Sequence, residues 1–381
     1  MTPRRAVAAC FLLLVFAGGA PGASQSAQRP ASAAASRAAA LPARLTDAEF
    51  WSLVETLSEP DGYFQSNNLV SNEDTFQYVI PDLQRVVKPG GVYVGVGPDQ
   101  NFTFIANLKP GVVFIPDIRR GNLHMHLMYK VLMEESADRA DFLARLFSRK
   151  RPAGLTATTP PDKLFGAFVD VPPAKVLFDE TRQLIRDSLK KRHGFALTEA
   201  DETGIDFILG NFYNAGPFLQ YSSAPVGVGR SRYPSFAELQ MATDATGLAR
   251  AYLATEDNYR VVRELERKNL IVPLVADFAG PKTFRAIGAW ARERNANVTT
   301  LYTSNVEQYL FQERKWADFA GNVAALPLDE TSTLIRSCFN MCISPMPGSR
   351  VLMLLDSMPA MLRDHQAGMI GTYYDVLARR R

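Results

Sequence analysis

Residues Gly91–Asp117 read GVYVGVGPDQNFTFIANLKPGVVFIPD: an apolar strand ending in Gly95-Val96-Gly97, a short polar-to-apolar stretch, a second apolar strand, and an acid at its tip. Glycines let a backbone turn sharply beside a ligand, and a carboxylate about 20 residues further on can accept from ribose hydroxyls. That spacing outlines a pocket for a nucleotide-type small molecule. In a doubly wound sheet the ligand lies beyond the carboxyl ends of the strands, so residues scattered in sequence share one site. The candidates at strand ends are Gly95, Gly97 and Asp99; Asp117; Asp277, near the base edge of a bound nucleoside; and Ser304-Asn305. A competing role for the acids is capping the helices that follow them. A polar cluster before the first strand, Asn67-Asn68 and Ser71-Asn72-Glu73-Asp74, adds Asn72 and Glu73. It is suited either to fold over the pocket with Glu73 facing the ligand or to cap a helix through Ser71 or Asn72.

The elements that must position these residues alternate in type. Thr46-Asp47-Ala48-Glu49 has the spacing of a capping box, and Phe50, Leu53, Val54 and Leu57 recur with helical period until Pro60. A second helical stretch spans Thr75 to Val87, and Asn122 is placed to cap a long helix running to Ser148. Further on come helix Glu256–Lys268, strand Leu270–Ala276, helix Pro281–Arg294, strand Val298–Thr303, a helix from Val306, and apolar strands near Val323–Leu328 and Val351–Leu355. Helices of this length between buried β-rich runs imply an α/β fold with a doubly wound, mostly parallel sheet. From about 150 to 234 the chain is rich in proline and ends in the glycine-spaced run Pro225-Val226-Gly227-Val228-Gly229. This stretch is expected to be an insertion, irregular apart from one helix over Phe178–Arg192.

The chain has 381 residues, 47% hydrophobic and 21% charged, ample for a large core. Residues 1–23 carry Arg4-Arg5, an apolar run from Ala6 to Ala17 and small residues at Ala20–Ala23, the pattern of an export signal whose apolar run is too short to span a membrane. Cys10 in Val7-Ala8-Ala9-Cys10 precedes most of that run, which argues against a lipid anchor. Residues 24–44, nearly all Ala, Ser, Pro, Gln and Arg, make a flexible tether, and the folded domain covers 45–381. The expected location is periplasmic or secreted. Loss of the signal leaves 40 bases against 39 acids, without the coherent basic face that nucleic acid requires. Cys338 and Cys342 are four apart and read as two buried thiols, with a pair between them as the alternative. His124 and His126, two apart on a helix, face different ways and cannot share a metal. No G-x-S-x-G, P-loop or H-E-x-x-H motif occurs, which disfavours hydrolase, P-loop and zincin chemistry.

The stretches NNLVSNEDTFQYVIPDL, GGVYVGVGPDQNFTFIANLKP, DIRRGNLHMHLMYK, VADFAGPKTFRAIG and YTSNVEQYLF cover roughly Phe50–Arg151 and Thr255–Gln312. Through them the chain resembles class I methyltransferase-like proteins, and more closely an uncharacterised bacterial exported family of that fold. The resemblance implies S-adenosylmethionine as cofactor, with Gly95, Gly97 and Asp117 holding it; Asp99 stands where a third glycine is common. It lends no catalytic base and no substrate. Export carries the chain away from the cytoplasm, where that cofactor is made. Three readings therefore stay open: a nucleoside-type binder on a methyltransferase fold, an active methyltransferase, and an NAD(P)-dependent oxidoreductase, the last disfavoured by Gln100 at the final glycine position of G-x-G-x-x-G.

Overall fold

A computed structural model describes residues 40–221 and 233–379. The export signal, most of the tether and the Pro225–Gly229 run lie outside the described residues. The chain enters through α1 (Asp47–Leu57), a 3-10 turn (Phe76–Val79) and α2 (Ile80–Val86), then alternates β1 (Val92–Gly95), α3 (Gln100–Leu108), β2 (Val112–Asp117) and α4 (Arg120–Glu135). After α5 (Arg139–Leu146) come α6 (Pro161–Val169), α7 (Lys175–Asp187), α8 (Glu199–Ala215) and α9 (Phe236–Met241). The alternation resumes with α10 (Glu256–Arg267), β3 (Ile271–Val275), α11 (Thr283–Glu293), β4 (Val298–Ser304), α12 (Val306–Gln312) and α13 (Trp316–Ala324). It closes with β5 (Thr333–Phe339), β6 (Val351–Ser357), α14 (Met358–Gln366) and α15 (Tyr373–Ala378).

The six strands form one sheet in the order β3-β2-β1-β4-β5-β6, parallel throughout except that β6 runs against β5. This is an α/β fold, a mixed and mostly parallel sheet with helices on both sides. Strands β1, β2 and β3 are buried along their whole length, as expected where helices cover both faces and the sequence runs apolar without alternation. The order reverses direction between β1 and β4. A crevice opens there because the connections leaving the two strands diverge to opposite faces. No helix among the described residues is long and apolar enough to cross a membrane.

The capping box at α1 is present: Thr46 Oγ1 accepts from the Glu49 amide, and Glu49 Oε2 accepts from the Thr46 amide at 2.7 Å. Thr46→Ala is expected to cost about 1 kcal/mol of unfolding free energy, read from the midpoint of a urea melt.

Several expectations are corrected. The polar-to-apolar stretch after Gly97 is a nine-residue helix, α3. The long helix expected to Ser148 breaks at Ser136, whose hydroxyl turns back onto Leu132 O, and Asn122 lies inside the first turn of α4 rather than capping it. Residues 323–328 are not a strand: Trp316, Phe319, Ala320 and Val323 bury one helical face. The strand lies further on, at β5, whose buried Arg336 and Ser337 hide it from a hydropathy reading. Most of the described insertion is helical, with α6 opening on Pro161, where a missing N–H costs nothing. Cys338 and Cys342 are disulfide-bonded where the chain leaves β5.

Candidate functional site

The carboxyl ends of β1, β2, β3 and β4 converge on a cavity of about 140 Å³. That is room for many waters or for one small organic molecule. Among the sequence candidates, Gly97, Asp117, Asp277, Asn305, Asn72 and Glu73 line it; Gly95 and Asp99 do not.

The turn after β1 explains that division. Gly97 has φ +86°, a backbone that favours glycine, and it presents its edge to the cavity. Beneath it, Asn101 Nδ2 donates to the carbonyls of Val96, Gly97 and Pro98, while Asn101 Oδ1 accepts from the Tyr93 hydroxyl. His126 Nε2 lies 3.0 Å from Gly97 O and must carry the hydrogen to donate. Burial holds this imidazole down at about 4, so it is neutral at pH 7. Gly95 serves the support below: a Cβ there would fall 2.2 Å from Asn101 Oδ1. Asp99 points behind the turn, accepts from Gln240 Nε2 at 2.9 Å, and is pushed up by burial to about 7.

At the tip of β2, Asp117 accepts from the Arg119 amide at 2.9 Å and from Arg119 Nη2 at 3.1 Å. Each oxygen thereby receives one hydrogen, and a carboxylate offers about four lone-pair positions, so acceptor capacity remains. Arg119 is only 9% exposed, also donates to Asn67 O, and leaves its Nε without a partner.

Glu73 is buried between elements far apart in sequence. Oε2 accepts from the Tyr302 hydroxyl at 2.5 Å, and Oε1 accepts from Ser337 Oγ at 2.5 Å and from Ser304 Oγ. Burial raises its pKa against the three hydroxyls that oppose the rise. Its segment is fastened rather than hinged: Leu69 N–H donates to Tyr221 O, Thr75 Oγ1 to Val351 O, and Ser349 Oγ to Asp74 Oδ1. Neither Ser71 nor Asn72 caps a helix; Ser71 Oγ accepts from the Glu73 amide instead. Ser304, at the end of β4, holds φ +52° beside a register shift, so its hydroxyl is aimed at Glu73 by a backbone that serine rarely adopts.

Asp277 accepts from the Ala279 amide at 2.9 Å and from Lys315 Nζ at 3.3 Å. The start of α11 is served by another acid, Glu59, whose carboxylate accepts from the amides of Asp277, Lys282 and Thr283. Capping therefore falls to Glu59, and Asp277 is left to line the cavity.

The sequence reading leaves out Arg119, Gln100, the rings of Tyr63, Phe64 and Tyr309, and Glu313. Asn305 just before α12, Tyr309 within it and Glu313 just after it stand four apart and so share one side, a signal legible once that side is known. Gln100 reaches Tyr302 with Nε2 and keeps a buried Oε1 without a partner. Four carboxyl groups, of Glu73, Asp117, Asp277 and Glu313, surround the space; Arg119 pairs with Asp117 on the wall, and Lys315, behind it, pairs with Asp277 at 3.3 Å and Glu313 at 2.7 Å. Charge and aromatic faces together suit a ligand that is flat in one part and positively charged in another. Among the described residues no cluster of His, Cys, Asp and Glu could hold a metal ion.

The family described as "Domain of unknown function (DUF7790)" matches residues 68–158 and 228–351, and the unmatched stretch between them falls in the helical insertion. No curated protein matches the chain.

Proposed function

The chain belongs to this domain-of-unknown-function family (DUF7790), and from its own site we propose that it is an exported binder of a nucleoside-type small molecule, with S-adenosylmethionine as the best candidate. The observation that carries this reading is the convergence of Gly97, Asp117, Asp277 and Asn305, from four successive strand tips, on one acid-lined cavity at the point where the strand order reverses. Only β1, β2 and β3 build a complete mononucleotide-binding half. The reversed β6 interrupts the second half, which favours one nucleoside and a methyltransferase-like architecture over a dinucleotide. The Cys338–Cys342 disulfide suits an oxidising compartment outside the cytoplasm.

The residues fit that cofactor. Asp117 keeps lone pairs for ribose hydroxyls, Gln100 Oε1 is a buried acceptor in need of a donor, and the carboxyl oxygens on the wall offer further acceptors to an amino group. When bound, S-adenosylmethionine supplies a methyl group on a positively charged sulfur. The protein's part in any transfer is then alignment, which needs no strong base: rigid positioning alone can supply several powers of ten. Gly97 is held from below by Asn101 and His126, and Glu73 by three hydroxyls, so the walls are set before a ligand arrives.

Calorimetry on the purified protein tests the proposal. S-adenosylmethionine is expected to bind about tenfold tighter than the uncharged-sulfur S-adenosylhomocysteine, a difference of about 1.4 kcal/mol. Asp117→Asn should weaken both, and NAD and NADP should give no heat. Silence toward both adenosyl compounds, or binding of NAD alone, would sink the reading.

A further inference from the structure

A second cavity, of about 240 Å³, shares Tyr63, Phe64 and Arg119 with the first and lies between residues 61–69, the start of α4, and α8. Its wall includes His124, whose Nε2 stands 2.7 Å from Asp201 Oδ1. Burial works to raise the Asp201 pKa, but hydrogen bonds from Arg120, Thr198 and His124 overcome it and hold the carboxyl far below its usual range. Asp201 is therefore ionised, Nε2 carries the hydrogen that it accepts, and Nδ1 is left with its lone pair. Gly204 packs against the ring: a Cβ there would come within 2.2 Å of Nδ1, so only bare backbone lets the imidazole lie there, where both residues line the cavity. This is an oriented base, an imidazole fixed at one nitrogen by a carboxylate with the other kept as acceptor. Among the groups facing it, Asp61 accepts from the Arg120 amide at 2.6 Å and Arg120 grips Asp201 through Nε and Nη2. Burial and Arg120 lower the His124 pKa, while Asp201 and Asp61 oppose the fall, so the ring is neutral at pH 7. Arg119, nine-tenths buried and paired with Asp117 through Nη2, brings a guanidinium whose Nε has no partner to the shared wall.

We propose that this second cavity binds a small aromatic molecule bearing an ionisable hydroxyl group, a phenol, with its ring against Phe64, Phe207 and Ile208 and its hydroxyl at His124 Nδ1. The O–H bond breaks, its electron pair stays on oxygen, and the proton passes to Nδ1. The product is a phenolate facing the Arg119 charge and an imidazolium held by Asp201. A carboxylic acid fits less well, because at pH 7 it has already lost its proton and would meet the Nδ1 lone pair with nothing to donate. Where the proposed function holds, the phenol is the molecule presented to the neighbouring nucleoside site. Its binding does not require that site to be filled.

The test uses 4-nitrophenol, whose colour reports its ionisation, with the full-length protein and no adenosyl compound present. Bound dye is expected to ionise about one pH unit below free dye, a tenfold change in its ionisation constant. His124→Gln, and Gly204→Ala, whose Cβ would clash with the ring and push it from its place, should return the bound dye to the behaviour of free dye. 4-Nitroanisole, the same ring without the proton, should bind the unmodified protein at least tenfold more weakly, a comparison that needs no variant to fold. An unshifted dye, a shift that survives His124→Gln, or equal binding of the two compounds would overturn the proposal. Because the adenosyl site is empty in these measurements, failure here leaves the calorimetric result standing, and the reverse holds too.

Discussion

Arg336→Met is expected to lower the unfolding free energy by about 3–5 kcal/mol, because it removes one partner of a buried ion cluster and strands the other. Arg336 has no solvent exposure; its Nε and Nη2 donate to Glu307 at 2.7 and 3.2 Å, and its Nη1 to Asp356 at 3.1 Å and to Val376 O at 3.2 Å. Asp356 would keep Arg379, which donates to it at 2.8 Å, whereas Glu307 would be left buried with no direct cation. Burial already raises the Glu307 pKa against the pull of Arg336, so loss of the arginine forces that carboxyl to take up a proton or move. The site feels this because Glu307 lies on α12, two residues after Asn305 and two before Tyr309, both on the cavity wall. Urea melts should show a lower midpoint at unchanged slope, with the proposed adenosyl binding weakened in the folded variant. The double variant Arg336→Met/Glu307→Leu should recover much of the loss, since an apolar replacement of both partners removes the stranded charge. A single variant costing under about 1 kcal/mol, or a double variant no better than the single, would show that the cluster is not what fixes α12.

How much of this was legible in the sequence follows from what each residue touches. Strands β1, β2 and β3 are covered on both faces, so their sequences are apolar throughout and stand out from the flanking helices. The rule that ligands sit beyond strand tips then gathered Gly97, Asp117, Asp277 and Asn305 without any knowledge of contacts. It could not separate Gly97 from Gly95, or the cavity from Asp99, because the side of a tight turn that a residue faces depends on supports such as Asn101 and His126. Strand β5 stayed hidden because Arg336 and Ser337 are polar residues satisfied internally, by Glu307 and Asp356 and by Glu73. Helix α8 carries Gly204 and Gly210, residues of low helix propensity; at 204 the missing side chain admits the His124 ring. Arg119 was overlooked although it follows Asp117 by two, the spacing at which an aspartate accepts from a backbone amide ahead of it.

Stability should also fall as the solution is made more alkaline between pH 6.5 and 8, by about 2 kcal/mol, through two buried carboxyls. Burial pushes Glu266 up to about 8 against the pull of Lys130, and Asp99 up to about 7 against its hydrogen bonds. Glu266 Oε1 has no partner, and Asp99 faces Gln240, Tyr252 and Tyr129 with no cation beside it. The unfolded chain releases these protons near 4.5 and 3.8, so between those values and 8 the folded state holds more protons than the unfolded one. Stability must then decline with rising pH. His126 acts the other way, since its folded value of about 4 lies below the ordinary 6.5 and its contribution grows as pH rises through that interval. It is within about 0.4 kcal/mol of its plateau by 6.5, which is why the decline is cleanest above that point. Glu266→Gln and Asp99→Asn should each gain as much as about 4 kcal/mol at pH 8 and almost nothing at pH 4. Chemical melts across pH 4–8 on the three proteins decide the matter: a parent curve that rises through pH 7–8, or variants whose gain is the same at both ends of the range, would mean that these carboxyls ionise normally and that the backing of the Gly97 turn is wetter than its geometry indicates.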